Sequence, residues 1–585
     1  WHPGEIAAQQ ARGFEDAVWG GWEGYHDGAP DWMMVFLNQL TFLSVTTLDQ
    51  QGRPWSSILH NDGNTGFIKS TDTEHHFTLS IRAATGLPIR DCLLDLHKRF
   101  KEGETAFDQD GVPKIAFQMA GVGIMLHNRR RNKLESVIVA VHTVPKDESE
   151  DQFVFEAQAI STFGNCPKYI NTRFLQPSSQ TKVSPIVQSS SQSGQDLPKE
   201  VLDLIANADS LYLASRYSGN DPTSFTPDPP RLGNNHRGGS SGYLRTYWDA
   251  DRQRRCIILP DWSGNRLMMS FGNITKDPVA GIAIPIWTQN QEETSSVIYA
   301  TCSAQVLADE EAQDLMRGVR GAVKMWIEDW TYAKGTIPMY VRSEEKAQAP
   351  SIGWSPYNPP VRLLKSEKAN TAYPLDAQSK QVRADMVNAH FWSESVATFT
   401  FSVDDNQISS KFRPGQHIVI DCYDAMDTRL TMYTHMAQFR GGEKDLNDDG
   451  TRSWTIAYAA PSPKGGWQFE IVLRRKDRGG VTPTLFRVGK YISEALEEGM
   501  DPPPFKPKMN VLGLDGSSFL PSRKTTPKNP LHLVYLLSGI GITPVLSHLS
   551  SLAKDSNKHA NILILLATRK NEAGIMQGIL RDAIS

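Results

Sequence analysis

A cation, an aromatic ring and a hydroxyl fall within four residues at Arg452-Ser453-Trp454-Thr455. The run continues through Ile456-Ala457 with the period-two alternation of a strand, which would bring these groups to one ligand face. About a strand and a turn later, Gly479-Gly480-Val481-Thr482 opens a helical run to about Glu498. Backbone N–H groups at a helix N-terminus attract phosphate. A cation and a helix start for a pyrophosphate, with an aromatic plate and a hydroxyl for a ring, describe a flavin dinucleotide seat. Taken alone, the strand reads better as a barrel strand whose Trp454 is core and whose Arg452 pairs with a carboxylate.

The last fifty-odd residues change period. Leu531–Leu537 is an apolar strand that runs into Ser538-Gly539-Ile540-Gly541-Ile542-Thr543-Pro544 and a helix over Val545–Lys554. A strand at Ile562–Ala567 and a helix near Ile575–Ile584 follow, the pattern of a parallel sheet. The glycine turn between first strand and helix is where such sheets bind ligands. On spacing alone Gly-x-Gly-x-x-Pro is weak evidence for a dinucleotide.

Arg-x-Trp-Thr followed by Gly-Gly-Val-Thr resembles the flavin signature of the ferredoxin–NADP reductase family, with Trp454 where tyrosine is usual. Phe412-Arg413-Pro414-Gly415-Gln416-His417 is similar to the Pro-Gly-Gln turn of that family, and the resemblance covers roughly residues 385–585. It implies that Arg452 neutralises an FAD pyrophosphate, Trp454 stacks on the cofactor and Thr455 is the catalytic hydroxyl near flavin N5. Gly480, Val481 and Thr482 would hold the phosphates, and Gly539, Gly541, Thr543 and Pro544 would seat NAD(P)H. The family's nucleotide domain usually has about five strands, whereas two are present here. The expectation is a chain that is incomplete at its C-terminal end or a vestigial nucleotide half, with NADH or NADPH as the donor.

These groups need domains to position them. At 585 residues the chain suggests about four domains. A net charge of −4 leaves no basic footprint, so nucleic acid and anionic membrane are not expected partners. No apolar run approaches the ~20 residues of a membrane span, and no signal-peptide pattern is visible. Five scattered cysteines (Cys92, Cys166, Cys256, Cys302, Cys422) without Cys-x-x-Cys spacing read as reduced thiols of a cytoplasmic protein with no metal site.

The N-terminal two-thirds is strand-rich. His2-Pro3-Gly4-Glu5 and a helix-like Ile6–Phe14 precede it, either contacting a neighbouring site or docking a helix on a barrel. Strands are expected at Phe42–Leu48 and Trp55–Leu59 about the hairpin Asp49–Pro54, then from Gly66, at Phe77–Arg82, Val122–Leu126 and Val137–Val141, with a helix from Gly86 to Lys98. Phe163-Gly164-Asn165-Cys166-Pro167-Lys168-Tyr169-Ile170 offers either a reactive thiol or a buried cysteine before a helix start. A Ser/Gln-rich linker follows at 177–198. The plan then returns: Leu211–Ser215 is a strand, Gly242-Tyr243-Leu244-Arg245 echoes Gly66-Phe67-Ile68-Lys69, and Cys256–Pro260 matches the strand ending at Arg82. Ser263-Gly264-Asn265-Arg266 opens a helix as Gly86 does, and strands follow at Gly281–Ile286 and Ser296–Val306. This is a diverged internal duplication.

Both halves resemble the FMN-binding split barrel of the pyridoxamine-phosphate oxidase superfamily. They are closest to a tandem form with the His-x-Gly-Glu start, the Gly-Asn-Cys-Pro-Lys-Tyr-Ile box, a His236-Arg237-Gly238-Gly239 loop and Asp261-Trp262-Ser263-Gly264-Asn265. Such barrels usually dimerise and seat FMN between subunits, which implies either a homodimer or the same interface built within one chain. Ser263, Asn265 and Arg266 at a helix start could cradle a phosphate, with His236 and Arg237 close by. Ser-Gly-Asn is equally an ordinary N-cap, and Arg-Gly-Gly an ordinary loop.

The expected fold is thus β-rich and multidomain: split-barrel repeats at 1–176 and 199–345, linkers at 177–198 and 346–380, a flavin barrel at 381–527 and a partial nucleotide domain of α/β type at 528–585. The expected activity is an NAD(P)H-dependent flavin oxidoreductase, with hydride passing to FAD and electrons going on to FMN, a substrate or a redox partner at the tandem barrel. The alternative makes the barrels a non-catalytic scaffold, leaving only the reductase half active.

Overall fold

The computed structural model describes residues 1–585 apart from 14–24, 146–149, 180–185, 191–193, 220–227, 317, 343–351, 368–372, 375–381, 405–411, 427–446, 449, 464, 478–479, 503, 506, 517–530, 554–559 and 585. Gly479 and most of the polar stretch before Arg452 lie outside the described residues. The chain divides into two compact units, the first ending at Lys365 and the second beginning at Ser366.

In the first unit, one eight-stranded antiparallel sheet is built from β1 (Tyr25–Asp27), β2 (Leu43–Leu48), β3 (Pro54–Leu59), β4 (Ile68–Ser70), β5 (His76–Ala84), β6 (Gln118–Met125), β7 (Arg130–Pro145) and β8 (Glu150–Asn165). Its order is β3-β2-β6-β7-β8-β5-β4, with β1 on β8. The sequence dictates the local turns. Between β2 and β3, Asp49 Oδ1 accepts from the N–H groups of Gln51 and Arg53, and Gly52 takes the positive φ that the turn requires. Along β5 every second side chain is buried, as alternation of apolar and polar residues demands. Helices α1 (Pro3–Gln10), α2 (Asp31–Asn38) and α3 (Pro88–Lys101) accompany this sheet in the chain.

After the short β9 (Leu175–Pro177), a second sheet repeats the plan with β10 (Ile186–Ser190), β11 (Ser210–Tyr217), β12 (Arg231–Gly238), β13 (Arg245–Asp249), β14 (Arg254–Pro260), β15 (Val279–Ile286), β16 (Ser295–Ala308) and β17 (Gly321–Ile337). Its order is β12-β11-β15-β16-β17-β14-β13, with β10 on β17. The two orders match strand for strand. Even a bulge is shared: the register slips between Glu135 and Ser136 in one sheet and between Thr301 and Cys302 in the other. Lys69 faces Thr78 where Arg245 faces Ile258, so the echo of Gly66–Lys69 in Gly242–Arg245 is a true equivalence. Helices α4 (Lys199–Ala206), α5 (Met269–Lys276) and α6 (Asp309–Leu315) belong to the second half, and β18 (Met339–Val341) pairs with β9.

Several expectations need correction. The stretch 177–198 is not all linker, because Ile186–Ser190 pairs with Trp330–Lys334. His236–Gly238 lies in β12 instead of a loop, held by pairing with β11 that composition does not reveal. The helix after Ser263-Gly264-Asn265-Arg266 begins only at Met269, since Arg266 and Met268 both take positive φ and interrupt it. No helix follows Cys166, which is half-buried.

The second unit is organised by a closed barrel. Strands β20 (Val382–Ser393), β21 (Val396–Val403), β22 (His417–Asp421), β23 (Thr451–Pro461), β24 (Trp467–Arg474) and β25 (Asn510–Asp515) pair as β25-β20-β21-β24-β23-β22, and β22 returns to β25. The two-residue β19 (Tyr373–Pro374), inside the stretch expected as a linker, adds to β25. Phe399, Phe401, Phe469 and Ile471 fill the barrel, and α7 (Thr482–Glu497) packs Leu485, Phe486 and Ile492 into the same core. Beyond it, β26 (Leu531–Ser538) and β27 (Ala560–Ala567) pair in parallel, with α8 (Thr543–Ala553) and α9 (Ala573–Asp582). Among the described residues no helix is long and apolar enough to cross a membrane.

Candidate functional site

In β23 the alternation sorts the signature residues onto two faces. Arg452 lies opposite Ile420 and Trp454 opposite Ile418, both isoleucines being fully buried, and Trp454 packs against the barrel core. Thr455 lies opposite His417 on the other face. The strand therefore brings Arg452 and Trp454 together and turns Thr455 away from them, which corrects the expectation of a single ligand face.

Arg452 meets Asp448 through both oxygens, Nη1–Oδ1 at 2.8 Å and Nη2–Oδ2 at 2.5 Å. Gly480 sits against this pair. A β-carbon there would lie 3.7 Å from Arg452 Nη2 and 3.7 Å from Asp448 Oδ2, ordinary contact distances that leave the backbone close to the guanidinium. Val481 is buried at the N-cap of α7 and makes no side-chain cap, and its carbonyl accepts from Thr484 N at 3.1 Å and Leu485 N at 3.2 Å. Thr482 Oγ1 accepts from Lys476 N at 3.0 Å, which ties the helix start to the end of β24. A guanidinium and a helix N-terminus converge here, and an anion of two phosphates would meet both by displacing Asp448 from Arg452.

The outward face of β23 is covered by α8. Ala457 and Val472 of the barrel are buried with Ile542, Leu546 and Met576 of the following segment. Ser547 of α8 accepts from Gly415 N of the Pro-Gly-Gln turn at 2.7 Å. Gly415 takes φ +92 with His548 so close that a β-carbon would clash, which explains the glycine. Tyr535 and His548 share a 2.9 Å hydrogen bond, and burial holds His548 below the usual histidine range. Among the described residues no heavy atom lies within 4 Å of where a β-carbon of Gly539 or Gly541 would stand, and Thr543 and Pro544 start α8. The glycine turn thus opens onto space that no described residue fills, and the helix it feeds lies along the face of β23 that carries Thr455.

In the first unit the suggested residues form part of a larger cationic neighbourhood. His236 is buried, edge-on to Tyr212 at 5.4 Å, with no hydrogen-bond partner at Nδ1 among the described residues. Burial, and then the charges of Arg131, Arg173 and Arg237, hold it well below the usual histidine range. Arg237 pairs with Asp261 at 3.0 Å and lies over the Phe271 ring, while Asp261 also takes Arg12 at 3.0 Å. Ser263 O accepts from Tyr169 Oη, and Asn265 Oδ1 accepts from Leu267 N, so both are engaged in shaping the loop. Arg266 is buried nearby. Sequence reasoning misses Arg131 and Lys133, whose spacing along a strand sets them on one face. Lys168, within the Gly-Asn-Cys-Pro-Lys-Tyr-Ile box, is buried as well.

No protein-family model matches the chain, and no curated protein matches it. Similar solved structures include the flavohaem-like FAD/NAD-binding domain of nitric oxide dioxygenase from Vibrio cholerae O1 biovar El Tor, at 16% identity over 35% of this chain and 71% of that one, TM-score 0.21. Flavohemoglobin from Malassezia yamatoensis is 15% identical over 35% and 42%, TM-score 0.23. The cytochrome b5 reductase domain of Ulva prolifera nitrate reductase is 12% identical over 35% and 69%, TM-score 0.21.

Proposed function

We propose that the second unit is an NAD(P)H-dependent flavin reductase module. FAD would lie with its diphosphate between Arg452 and the start of α7, and the nicotinamide nucleotide at Gly539–Pro544. The observation that carries this reading is the convergence on one strand: Arg452 beside Gly480 on one side of β23, and the helix of the open glycine turn along the other. The residues present fit such a cofactor, because the backbone at Gly480 comes close to the guanidinium and the turn at Gly541 is unfilled. FAD supplies hydride acceptance from a nicotinamide and release of electrons singly. The protein's part is to hold the diphosphate with Arg452 and the amides of Gly480, Val481 and Thr482, and to place Trp454 as an apolar plate. Thr455 Oγ1, on the α8 side, is the hydroxyl available to a ring approached from that side.

Electrons would pass from this module to an acceptor in the first unit, FMN or a substrate bound between its duplicated sheets. The test is direct. Purified chain loaded with FAD should be yellow and should bleach anaerobically on addition of NADH or NADPH. A folded chain that takes up no FAD sinks the proposal.

A further inference from the structure

The duplicated sheets allow each half to be read against the other, residue by residue. The shared bulge makes Glu135 equivalent to Thr301, and pairing carries the equivalence across the sheets. Glu135 faces Ala120 as Thr301 faces Gly281, Ala120 faces Thr46 as Gly281 faces Ala214, and Thr46 faces Ser56 as Ala214 faces Asn234. Two positions further along each strand, Lys133 corresponds to Tyr299 and Ile58 to His236, and the next alternate position pairs Arg131 with Val297.

The halves touch reciprocally at these positions. Lys133 Nζ donates to Asn235 Oδ1 at 2.9 Å, and in the mirrored place Tyr299 Oη accepts from Ile58 N at 3.4 Å. The two places differ in chemistry. Around Tyr299, the residues Val297, Ile58, Leu59, Ala333 and Met339 are all buried members of one hydrophobic core. His60 there reaches Thr336 O at 2.9 Å, whereas its counterpart Gly238 has no side chain.

Around Lys133 the counterparts are charged or polar. Arg131 is buried, it donates to the neutral oxygens Asn165 Oδ1 and Cys166 O, and its Nε has no partner among the described residues. Lys133 is also buried and bonds to Asn235 and the Met269 sulfur. Neither has a carboxylate within ion-pair distance among the described residues. Burial brings Arg131 down to about 10 and Lys133 to about 8, the latter in spite of the Glu135 carboxylate, which acts in the other direction. Two buried positive charges without a direct ion pair are costly in an interior. They match a dianion better than a carboxylate, and a phosphate monoester carries nearly two charges at neutral pH.

We infer that the first unit binds one phosphate monoester per chain, at Arg131, Lys133, His236 and Arg237, and that the mirrored place at Val297 and Tyr299 has become core and binds none. This rests on the part of the proposed function that gives the first unit a ligand, and not on FAD or NAD(P)H in the second.

The experiment is calorimetric titration of the full chain, pre-saturated with FAD, using FMN, riboflavin and inorganic phosphate as probes. One FMN per chain with riboflavin at least tenfold weaker is expected. Inorganic phosphate binding at one site while FMN does not bind would also support the seat and would assign it to a different phosphate ester. Arg131→Met and Lys133→Met should each weaken binding tenfold or more without lowering the apo-protein's Tm, because an isosteric apolar group relieves an unpaired buried charge. A merely structural arginine would lose Tm instead. Tyr299→Phe should leave affinity and stoichiometry unchanged. Two sites per chain, riboflavin binding as tightly as FMN, or no binding of FMN or phosphate to folded chain would each overturn the inference. Failure to take up FAD would leave this titration readable through its dependence on Arg131 and would count only against the reductase reading.

Discussion

Arg452 and Asp448 form a two-pronged ion pair at the mouth of α7, both carboxylate oxygens meeting the guanidinium. The cation assigned to the diphosphate is therefore already neutralised from within the chain, and cofactor binding at this place is an exchange of anions. Removing each partner should move FAD affinity in opposite directions. Arg452→Ala should weaken FAD retention by about 1.5–3 kcal/mol, the scale of charge-assisted hydrogen bonds. Asp448→Asn should tighten it by removing the competitor. Fluorescence titration of FAD into both variants checks the pair, and equal weakening in both would mean that Asp448 supports the seat and does not compete for it.

Gly489 lies in the middle of α7, where alanine is ordinarily the better helix former by ~1 kcal/mol. A β-carbon there would come within 2.6 Å of Phe399 Cε1 and 3.0 Å of Ala389 Cβ. The helix can approach the barrel wall only because this residue has no side chain. Gly489→Ala should accordingly destabilise the second unit by about 1–3 kcal/mol, overpacking outweighing propensity. Urea unfolding measures it, and an unchanged or raised midpoint would refute the close contact.

Beside His236, two further buried histidines shape how the first unit responds to acid. His2 caps α1, bonds to Asn273 Oδ1 at 2.9 Å and stacks on Tyr217, and burial lowers it to about 4. His60 is likewise lowered to about 4, chiefly by burial. Both are neutral in the folded state and would titrate near 6.5 when unfolded. Their contribution is thus intact above about pH 6.5, declines as pH falls towards about 4, and changes no further well below that. A tenfold difference in proton affinity between folded and unfolded chain is worth roughly 1.4 kcal/mol, so each histidine costs on the order of 3 kcal/mol by about pH 4. Unfolding followed from neutral pH down to this range should show the loss, and His60→Gln should flatten part of the slope.

The sequence and the structure agree best where a signal is local. The hairpin at Asp49–Arg53, the helix from Thr482 and the strand–glycine–helix passage at Leu531–Ala553 are set by neighbouring residues, and they stand within a few positions of expectation. The echo between Gly66–Lys69 and Gly242–Arg245 is also readable, because duplication leaves similarity at equivalent sites. What cannot be read depends on partners distant in sequence. His236-Arg237-Gly238 looks like a loop until β11 is found beside it, and Ile186–Ser190 looks like linker until β17 pairs with it. Arg131 and Lys133 carry no motif; their interest arises from burial, which only the packed halves impose. The reading that put Thr455 on one face with Arg452 and Trp454 misjudges the alternation of the strand itself, which turns Thr455 to the other side.

The glycine turn before α8 offers a test that spares the fold. Gly539 takes φ +50, so any side chain there would strain the backbone and confuse the result. Gly541 has no such constraint, is exposed, and its β-carbon position meets nothing within 4 Å. Gly541→Val should therefore leave Tm and FAD content as they are while filling the space proposed for the nicotinamide nucleotide. Loss of a close backbone approach should raise KM for NAD(P)H by about tenfold or more, equivalent to ~1.4 kcal/mol. Steady-state reduction of an artificial acceptor reads it, with flavin content and thermal unfolding as controls. An unchanged KM in a protein with full FAD content would place the nucleotide elsewhere and remove Gly541 from the site.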